Sequence, residues 1–489
     1  MDTIEKIHAH IDDNFETYVE EIKNYLSVPG ISQTGEGIRE SAQLTLKLVN
    51  DLKGTEARLV ETGGNPVVLG HTRGGAPDLR TLLLYCFYDV VPVTLKDWAC
   101  PPFEPTVMKA SQVDLPSDWG DVLCGRGTTD HRGPFIAAVL AFRSMQAIAG
   151  ELPLNIVYAI EGEEEIGSPN LKNFVNTYKD ELSQADAFWF PRTSRESANG
   201  PMVVHRGYKG QTWLYLSIKG GEWGGSRDAR DIWSANVAWV DAPALRLIRA
   251  LDSLTDANYR IAIDDFWKHV RPINEAEAKE ISVLEDDFDE NVTKQNLKIS
   301  RFKGGIPGRT LLSRFIMEPQ LNISLGVWPG LPGEEDYTKG VIDGSLRTEL
   351  LMRTHARVDF RLTPDLEPGL VAELLRSHLD RRGFKEIEIS PARGSYSWSR
   401  TEPNAGIYKA LNKACKYHNL KPSIWPTMPS TAPFDLFNRA PLTLPIIIFG
   451  AAHGARWHEA NEYVSLEGLR DFMKFTASWL FQWAREENI

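Results

Sequence analysis

Apolar residues recur at helical spacing between residues 4 and 27, and this run ends at Pro29 and Gly30. The pattern predicts an amphipathic helix, because side chains three and four residues apart share one helix face. A second helical pattern follows at about 38–53. Strand-like apolar runs follow at 66–69, 81–85, 154–160 and 185–190, and a further helical pattern lies at 135–148. Strands that alternate with helices predict a layered α/β domain.

The pattern changes after residue 210. Residues 211–218 alternate between apolar and polar positions, which is typical of an antiparallel strand with one covered face. Helices are predicted at 243–254 and 370–382, and strands at 346–362 and 385–390. They indicate a separate α+β domain inserted into the chain. The stretch 256–305 is charged, and we expect it to be irregular and solvated.

The α/β pattern returns near residue 403, with a helix at 405–418, a strand at 442–449 and a last helix at 466–485. The sequence therefore predicts three segments. Residues 1–210 and 398–489 form the α/β domain, and 211–397 form the inserted domain.

Composition narrows the class of protein. With 489 residues, 42% hydrophobic and 25% charged, the chain is typical of a soluble globular protein with more than one domain. The net charge of -12 disfavours nucleic-acid binding, which needs a basic surface. No run of apolar residues reaches membrane-spanning length, so we expect no membrane partner.

The first residues of the chain and the spacing of the cysteines indicate the cellular compartment of the protein. The start of the chain lacks a basic segment followed by an apolar one, so it does not resemble a secretory signal. The cysteines Cys86, Cys100, Cys124 and Cys415 show no Cys-x-x-Cys spacing. This favours reduced thiols in a cytoplasmic protein, although a disulfide between Cys100 and Cys124 stays open.

Three consecutive carboxylates, Glu163 to Glu165, follow the predicted strand 154–160. Packing does not explain such a charge cluster, and the carboxyl ends of strands are where sites form in open α/β sheets. Ser168 and Pro169 then predict an N-cap and first turn for a helix over 170–181.

Four segments concentrate residues that carry chemistry, at 84–92, 125–134, 161–168 and 456–462. In this order and spacing they resemble the co-catalytic zinc peptidase and amidase family. That family includes carnosinase-type dipeptidases, glutamate carboxypeptidase, aminoacylase and succinyl-diaminopimelate desuccinylase. The resemblance runs over nearly the whole chain, and it implies an α/β catalytic domain with an inserted α+β lid domain that often mediates a homodimer.

The resemblance implies two neighbouring metal ions bridged by one carboxylate. Asp130 corresponds to the bridging residue, Glu165 and His458 to further ligands, and Glu164 to the general base. Such ligands suit zinc, manganese or cobalt. Neighbours at a strand end point different ways, which would let Glu164 and Glu165 divide these roles. Singly, each residue is better explained by a turn, a solvated loop or a surface histidine, but the set in family order favours a site.

The chain departs from the family at one of the two metals. Phe87 stands where the family has a histidine ligand, and Asp89, which steadies that histidine in relatives, loses its partner. Arg192 falls near the position of an aspartate ligand. Both ligands unique to one metal are therefore replaced. We expect a one-metal site in which Arg192 supplies the positive charge of the lost ion.

Two more residues concern the substrate. Trp233 takes the place of a family histidine that polarises the substrate carbonyl, and an indole can only donate one hydrogen bond or stack. Arg361 resembles a residue that grips a substrate carboxylate, although a structural salt bridge on a strand is about as good an explanation.

The leading hypothesis is a metal-dependent hydrolase of an amide bond in a dipeptide-like or N-acyl amino-acid substrate. The predicted roles are catalytic for Glu164 and Asp89, metal-binding for Asp130, Glu165 and His458, and substrate-binding for Arg361, Arg192 and Trp233. We expect one zinc, manganese or cobalt ion per subunit, with no ion as the alternative, and a homodimer formed through the lid. Two rival hypotheses are an enzyme of the same fold repurposed for amide formation, a lyase or an isomerase step, and a non-catalytic binding protein.

Overall fold

The computed structural model describes residues 3–195, 197–334, 349–392 and 394–485. These residues divide into two units that follow the chain discontinuously. The first unit comprises Met1–Gly207, Arg400–Pro426 and Leu436–Ile489. The second comprises Tyr208–Ser399 together with Thr427–Asp435. We describe each unit by itself.

A sheet of eight strands organises the first unit. Its spatial order is Thr55–Val60, Val67–Thr72, Asn155–Glu161, Thr81–Phe87, Ala187–Pro191, Ile446–Phe449, Met202–His205 and Pro422–Trp425. The third to sixth of these strands run parallel to one another. Their carboxyl ends therefore lie along one edge of the sheet, where ligand sites form in folds of this type.

The central strands are apolar runs without alternation because both faces of the sheet are covered. Leu82, Leu83 and Leu84, for example, are all fully buried. The helices of this unit are Thr3–Leu26, Ile38–Asn50, Arg132–Ala149, Leu171–Thr177, Lys179–Leu182, Gly406–Tyr417 and Leu466–Ala484, and a short helix spans Asp435–Asn438. The first, third and last long helices, Thr3–Leu26, Arg132–Ala149 and Leu466–Ala484, pack on one another.

A smaller antiparallel sheet brings two distant loops of the first unit together. Its strands are Gly454–Ala455, Tyr463–Ser465, Asp121–Cys124 and Thr106–Lys109. Tyr463 pairs with Cys124 in this sheet. The loop that leaves residue 124 and the loop that arrives at residue 463 are consequently neighbours.

The second unit is built on an antiparallel sheet in the order Gln320–Pro329, Arg353–Leu362, Tyr208–Lys219 and Glu388–Pro391, and Met428–Thr431 pairs with Tyr208–Lys219 in parallel. Ile232–Trp233 and Glu349–Leu350 form a separate pair. Within the described ranges, the long helices of this unit are Pro243–Asp252, Glu275–Asp287, Glu290–Leu297, Gly308–Met317 and Pro368–Arg381. A core of leucine, isoleucine, valine and phenylalanine side chains joins the first and last of these helices to the sheet.

The predicted fold class, an α/β domain with an inserted α+β domain, is confirmed. The predicted strand 346–362 is two strands, Glu349–Leu350 and Arg353–Leu362, which belong to different sheets, and residues 346–348 lie outside the described ranges. Two further local predictions are wrong. Ser168 is not an N-cap, because it has a positive φ of 49° and the helix begins only at Leu171. The stretch 256–305 is not irregular throughout, because it contains the helices Glu275–Asp287 and Glu290–Leu297.

The missed helix at 275 carried a recognisable signal. Asn274 accepts a hydrogen bond from the backbone N–H of Glu277, and Glu277 accepts one from the backbone N–H of Asn274. This reciprocal pair is a capping box, which satisfies two backbone donors that the first turn leaves open. The high charge of the segment hid a helix start that the spacing of these two residues indicates.

All four cysteines are free thiols, so the disulfide left open between Cys100 and Cys124 does not form. Cys100 Sγ instead donates to the carbonyl oxygen of Cys124 at 3.4 Å. Among the helices within the described ranges, none combines the length and the apolar character needed to cross a membrane.

Candidate metal and catalytic site

Three chain segments meet beyond the carboxyl edge of the large sheet in the first unit. Residues 88–90 follow the strand Thr81–Phe87, residues 162–165 follow Asn155–Glu161, and residue 192 follows Ala187–Pro191. The loops of the smaller sheet contribute Asp130 and His458. Because the sheets fix where each loop starts, residues far apart in sequence form one cluster.

Asp130, Glu165 and His458, which we call the metal triad, lie close enough to share one ion. Each offers one ligand atom, and these three atoms all lie within 4.8 Å of one another. His458 Nε2 is 3.0 Å from Asp130 Oδ2 and 3.0 Å from Glu165 Oε2. Two carboxylate oxygens and one imidazole nitrogen make the donor set of a catalytic mononuclear zinc site, which keeps a further position open.

The loop that carries His458 is wound through unusual backbone conformations. Arg456, His458 and Asn461 all have positive φ angles, of 68°, 61° and 57°. Side chains other than glycine adopt this region rarely and at a cost, and such residues cluster at functional sites. The conformation at His458 directs the imidazole to the two carboxylates.

The Glu164–Ile166 turn separates the two neighbouring glutamates. Asp89 lies behind it, where Oδ1 accepts from the backbone N–H of Glu164 at 3.2 Å and Oδ2 from that of Glu165 at 3.0 Å. The sequence suggested that Asp89 loses its partner. In the structure, the two backbone N–H groups are its partners. It holds the turn through the backbone, and the turn, rather than strand alternation, separates the side chains.

A second buried carboxylate supports the same turn. Tyr85 Oη donates a short hydrogen bond to Glu161, and Ser168 Oγ donates to Glu161 at 2.9 Å. This contact explains why Ser168 does not cap a helix. Its hydroxyl is committed to the strand end, and the chain passes through a left-handed conformation there.

The electrostatics of the site reflect several carboxylates buried together. Burial, and then the negative charge of Asp130, raises the pKa of Glu165 to about 8. Burial, and then the charge of Glu165, raises the pKa of Glu164 well above its usual value. Hydrogen bonds to Asp130 and Glu165 raise the pKa of His458 to about 10. The cluster thus favours a positive charge among its carboxylates.

The groups on the other side of Asp130 are aromatic rings and a guanidinium instead of carboxylates. Phe87 packs against His131 and Phe190, with ring centroids 5.3 and 6.1 Å away, and His131 lies 4.6 Å from Phe190. We call these three residues the ring cluster. Burial lowers the pKa of His131 to about 4. Arg192 is buried too, with its guanidinium carbon 4.8 Å from the centre of the Trp457 ring. Phe87 and Arg192 provide no metal-binding atom.

Glu462 organises the backbone of the Asp130 loop. Its carboxylate is fully buried and accepts from Arg126 Nη1 at 2.7 Å and from the backbone N–H groups of Gly127, Thr129 and Asp130 at 3.0, 2.8 and 2.9 Å. Glu462 ends the motif segment 456–462, where it had no predicted role. Only the fold brings it beside Asp130, which lies 332 positions earlier.

The two remaining predicted residues belong to the second unit. Arg361 Nη1 donates to Gln211 Oε1 at 2.7 Å and to Thr431 Oγ1 at 2.9 Å. Within the described ranges, no carboxylate lies at ion-pair distance from Arg361, so the structural salt bridge considered for it is not seen there. Trp233 ends the short strand Ile232–Trp233, and 67% of its surface is exposed.

Two carboxylates and an imidazole at the edge of a parallel sheet, beside a further acidic side chain, define the class of metal-dependent hydrolases. The sequence profile of peptidase family M20/M25/M40 matches residues 83–482, and the chain belongs to this family. The family predicted from the motifs, and with it a metal-dependent enzyme that hydrolyses amide bonds, is confirmed.

Similar proteins cover nearly the whole chain. The Beta-Ala-His dipeptidase of Rattus norvegicus is 24% identical over 97% of this chain and 95% of its own length. The Cys-Gly metallodipeptidase DUG1 of Saccharomyces cerevisiae is 25% identical over 85% of this chain and 81% of its own length. The M20 family metallo-carboxypeptidase Sso-CP2 from Sulfolobus solfataricus is 27% identical, with a TM-score of 0.80 over 96% of this chain and 99% of that structure.

Replacing Glu462 tests its role in the Asp130 loop. We expect Glu462→Ala to lower the free energy of unfolding by about 3–5 kcal/mol, because Arg126 is left as a buried charge without its partner. Glu462→Gln, which keeps one acceptor oxygen, should cost less. Urea titration followed by tryptophan fluorescence measures both.

Glu459 provides the matched control for this measurement, since it lies in the same loop and is exposed. Glu459→Ala should change the free energy of unfolding by no more than about 0.5 kcal/mol. Equal effects of Glu459→Ala and Glu462→Ala would show that the buried carboxylate has no special role.

Proposed function

We propose that this chain hydrolyses the amide bond of a dipeptide-like or N-acylated amino-acid substrate with one divalent ion per subunit. The observation that carries the proposal is the metal triad of Asp130, Glu165 and His458, with Glu164 beside it in the chain. Relatives whose names specify Beta-Ala-His and Cys-Gly dipeptides support a short-peptide substrate.

The donor atoms of the metal triad suit zinc, manganese or cobalt, which accept mixed oxygen and nitrogen ligands. Repulsion between buried carboxylates, which contributes to the raised pKa of Glu165, is what a cation there relieves. When bound, such an ion polarises a substrate carbonyl and lowers the pKa of a water molecule. The triad residues would hold the ion, and Glu164 beside them would accept and release the proton.

A single ion is favoured over two by the residues on the far side of Asp130. Phe87 and Arg192 replace the two ligands that the family resemblance assigns to the first metal alone. Arg192 is buried, and it is among the positive charges that hold the pKa of Asp130 below its usual value against the effect of burial. Its guanidinium supplies a fixed positive charge near the position where the resembled family binds the first metal ion.

Glu164 is the general base in this proposal. It is half-buried, and burial together with the charge of Glu165 raises its pKa. A carboxylate with a raised pKa can take a proton from the attacking water and pass it to the leaving amine near neutral pH. Asp89 acts as a positioning residue, because it contacts the backbone of the turn and not the reacting groups.

Arg361 binds the substrate carboxylate in this proposal. Two neutral side chains, Gln211 and Thr431, hold one of its terminal nitrogens, and the planar guanidinium has further donors for a carboxylate. The exposed indole of Trp233 offers a stacking surface and one donor for the rest of the substrate. Arg192 contributes charge near the scissile carbonyl.

Two other functions of the same fold are possible outcomes of the tests below. One is an enzyme that uses Glu164 for amide formation, a lyase or an isomerase step. The other is a non-catalytic protein that binds a peptide or another partner at the same residues. Location in the cytoplasm, the domain limits 1–210, 211–397 and 398–489, and the lid role of the inserted domain stay predictions.

A homodimer formed through the second unit is the proposed assembly. Besides Trp233, four large apolar side chains are exposed along residues 237–248, namely Val237, Trp239, Leu245 and Ile248. Leu245 and Ile248 lie three positions apart on the helix Pro243–Asp252 and so share a face. Exposed apolar surface of this kind is typical of protein contacts.

Glu164→Gln tests the catalytic role directly. The amide keeps the shape of the side chain but cannot accept the proton, so we expect kcat to fall about 10²- to 10⁴-fold with substrate binding retained. Steady-state kinetics on a panel of dipeptides and N-acyl amino acids, with and without a chelator, measures this. Glu163→Gln is the control, because Glu163 contacts Asn65 and Asn170 instead of the triad.

The outcomes of the Glu164 experiment separate the three functions. Loss of turnover with retained binding supports a hydrolase. Turnover of another kind that also depends on Glu164 supports the repurposed enzyme. Ligand binding without turnover in the wild-type protein, unchanged in Glu164→Gln, supports the binding protein.

Arg361→Met tests the grip on the substrate carboxylate. Losing a charge-assisted contact of about 1.5–3 kcal/mol should raise KM about 10- to 100-fold for a dipeptide with a free carboxylate. The same dipeptide with a carboxamide end should be affected little. Arg357→Met on the same strand, whose guanidinium stacks on Trp213, is the control. Equal loss for both substrates would contradict the assignment.

Trp239→Asp tests the assembly, since 82% of the surface of Trp239 is exposed. Sedimentation velocity should find a wild-type dimer and a monomeric variant, because a charge in an apolar interface loses its hydration. Leu297→Asp, at another exposed apolar residue of the second unit, should stay dimeric. A monomeric wild-type protein at every concentration contradicts the proposed dimer.

A further inference from the structure

Two cysteines lie side by side next to the smaller sheet of the first unit. Cys100 and Cys124 are buried in one apolar cluster with Val122 and Tyr463. Both are free thiols. Cys100 Sγ donates to the carbonyl oxygen of Cys124 at 3.4 Å, and the Cys124 thiol donates to Cys100 Sγ. The two sulfur atoms are therefore direct neighbours, although their positions in the chain differ by 24.

Backbone hydrogen bonds hold the two cysteine segments together beside this contact. Thr106 pairs with Cys124 in the smaller sheet. Two residues beyond each cysteine, the backbone N–H of Arg126 donates to the carbonyl oxygen of Pro102 at 2.8 Å. Because the chain is already joined on either side, a bond between the sulfur atoms requires little movement of the backbone.

Cys100 is the more reactive of the two thiols. The hydrogen bond from Cys124 lowers the pKa of Cys100, and the same contact, followed by burial, raises the pKa of Cys124. The thiolate is the form of cysteine that reacts. Cys100 is 8% exposed and stands between the exposed residues Ala99 and Pro101, so it lies directly beneath the surface. By contrast, burial alone raises the pKa of Cys415 to about 12.

We propose that Cys100 and Cys124 form a modification site at which hydrogen peroxide joins the two thiols in a reversible disulfide. The Cys100 thiolate first attacks one peroxide oxygen, so that an S–O bond forms, the O–O bond breaks and hydroxide leaves. The Cys124 sulfur then attacks the sulfur of this sulfenic acid, so that the S–S bond forms and the S–O bond breaks. Each leaving hydroxide takes up one thiol proton. Two thiols are oxidised to one disulfide, and one hydrogen peroxide is reduced to two water molecules.

The disulfide would fasten a surface segment to the start of the Asp130 loop. Cys124 ends the strand Asp121–Cys124, and this loop follows it. Glu462 holds the loop through hydrogen bonds that involve neither sulfur atom, so the loop keeps its arrangement on oxidation. The new bond restrains the unfolded chain, which makes the oxidised protein more resistant to unfolding. Transient disulfides of this kind are the usual ones in reducing compartments.

Peptide mapping of the folded protein after treatment with hydrogen peroxide tests this. Remaining thiols are blocked with iodoacetamide, and the chain is digested with trypsin without reduction. Trypsin cuts after Lys96, Lys109 and Arg126, so the two cysteines fall on different peptides. We expect a disulfide-linked pair of these peptides that dithiothreitol separates. Cys415→Ser, which removes an unrelated buried thiol, is the matched control and should form the same link.

Thermal melts give a second readout on the same samples. The treated wild-type protein should melt at a higher temperature than the reduced protein, and dithiothreitol should abolish the difference. Cys100→Ser should show neither the linked peptides nor the shift in melting temperature. Its circular dichroism spectrum reports whether it folds.

The outcomes decide the matter on the wild-type protein. Linked peptides from the folded protein, together with a reversible shift in melting temperature, support the modification site. Cys100 recovered as sulfinic acid overturns it, because the neighbouring thiol would then have failed to capture the sulfenic acid. Recovery of both thiols unchanged, or a link that appears only in denaturant, also overturns it.

Discussion

Asp130 can bind a metal ion only through a carboxylate oxygen that other groups leave accessible to the ion. One oxygen faces His458, which also contacts Glu165, and the other faces His131. The backbone N–H groups of Thr129 and Asp130 donate to the buried carboxylate of Glu462, which holds the loop that presents this side chain. The proposed single-ion site therefore depends on which groups surround this one carboxylate. The fold itself need not change.

The site also has to accommodate many buried acidic groups, and the chain does so in two ways. Glu161 and Asp89 are satisfied within the protein, the first by Tyr85 and Ser168 and the second by backbone N–H groups. Glu165 and Asp130 instead face an imidazole, in the manner of ligands. The first pair fixes the turn, and the second pair is free for a cation. Buried charges that are neither paired nor coordinated would be costly, which is why this division is informative.

The sequence allowed much of the fold to be predicted, because continuous apolar runs are typical of strands buried on both faces. Motif order also predicted that Asp130, Glu165 and His458 share one ion, and in the structure their ligand atoms lie within 4.8 Å of one another. The sequence did not reveal the role of Glu462, which depends on the pairing of Tyr463 with Cys124. His131, which follows Asp130 in the chain, also had no predicted role, and its Nε2 lies 3.2 Å from Asp130 Oδ1. Its ring packs against Phe87, which stands in place of a family ligand.

Local errors have equally specific causes. The Ser-Pro pair at 168 suggested a helix start, but the serine hydroxyl is used by Glu161, a contact that no local pattern encodes. The helix at 275 was missed although its capping box was visible, because the charge of the segment outweighed it. A local signal fails where the side chain is committed to a partner outside the local pattern, as Ser168 is to Glu161.

We propose that this family member works with one ion, held by Asp130, Glu165 and His458. Anomalous diffraction at the zinc absorption edge, from crystals grown with excess zinc, counts and locates the ions directly. One anomalous peak among the metal triad, with His131 still facing Oδ1, is the predicted result. Two peaks bridged by Asp130, or no peak at the triad, would contradict the claim.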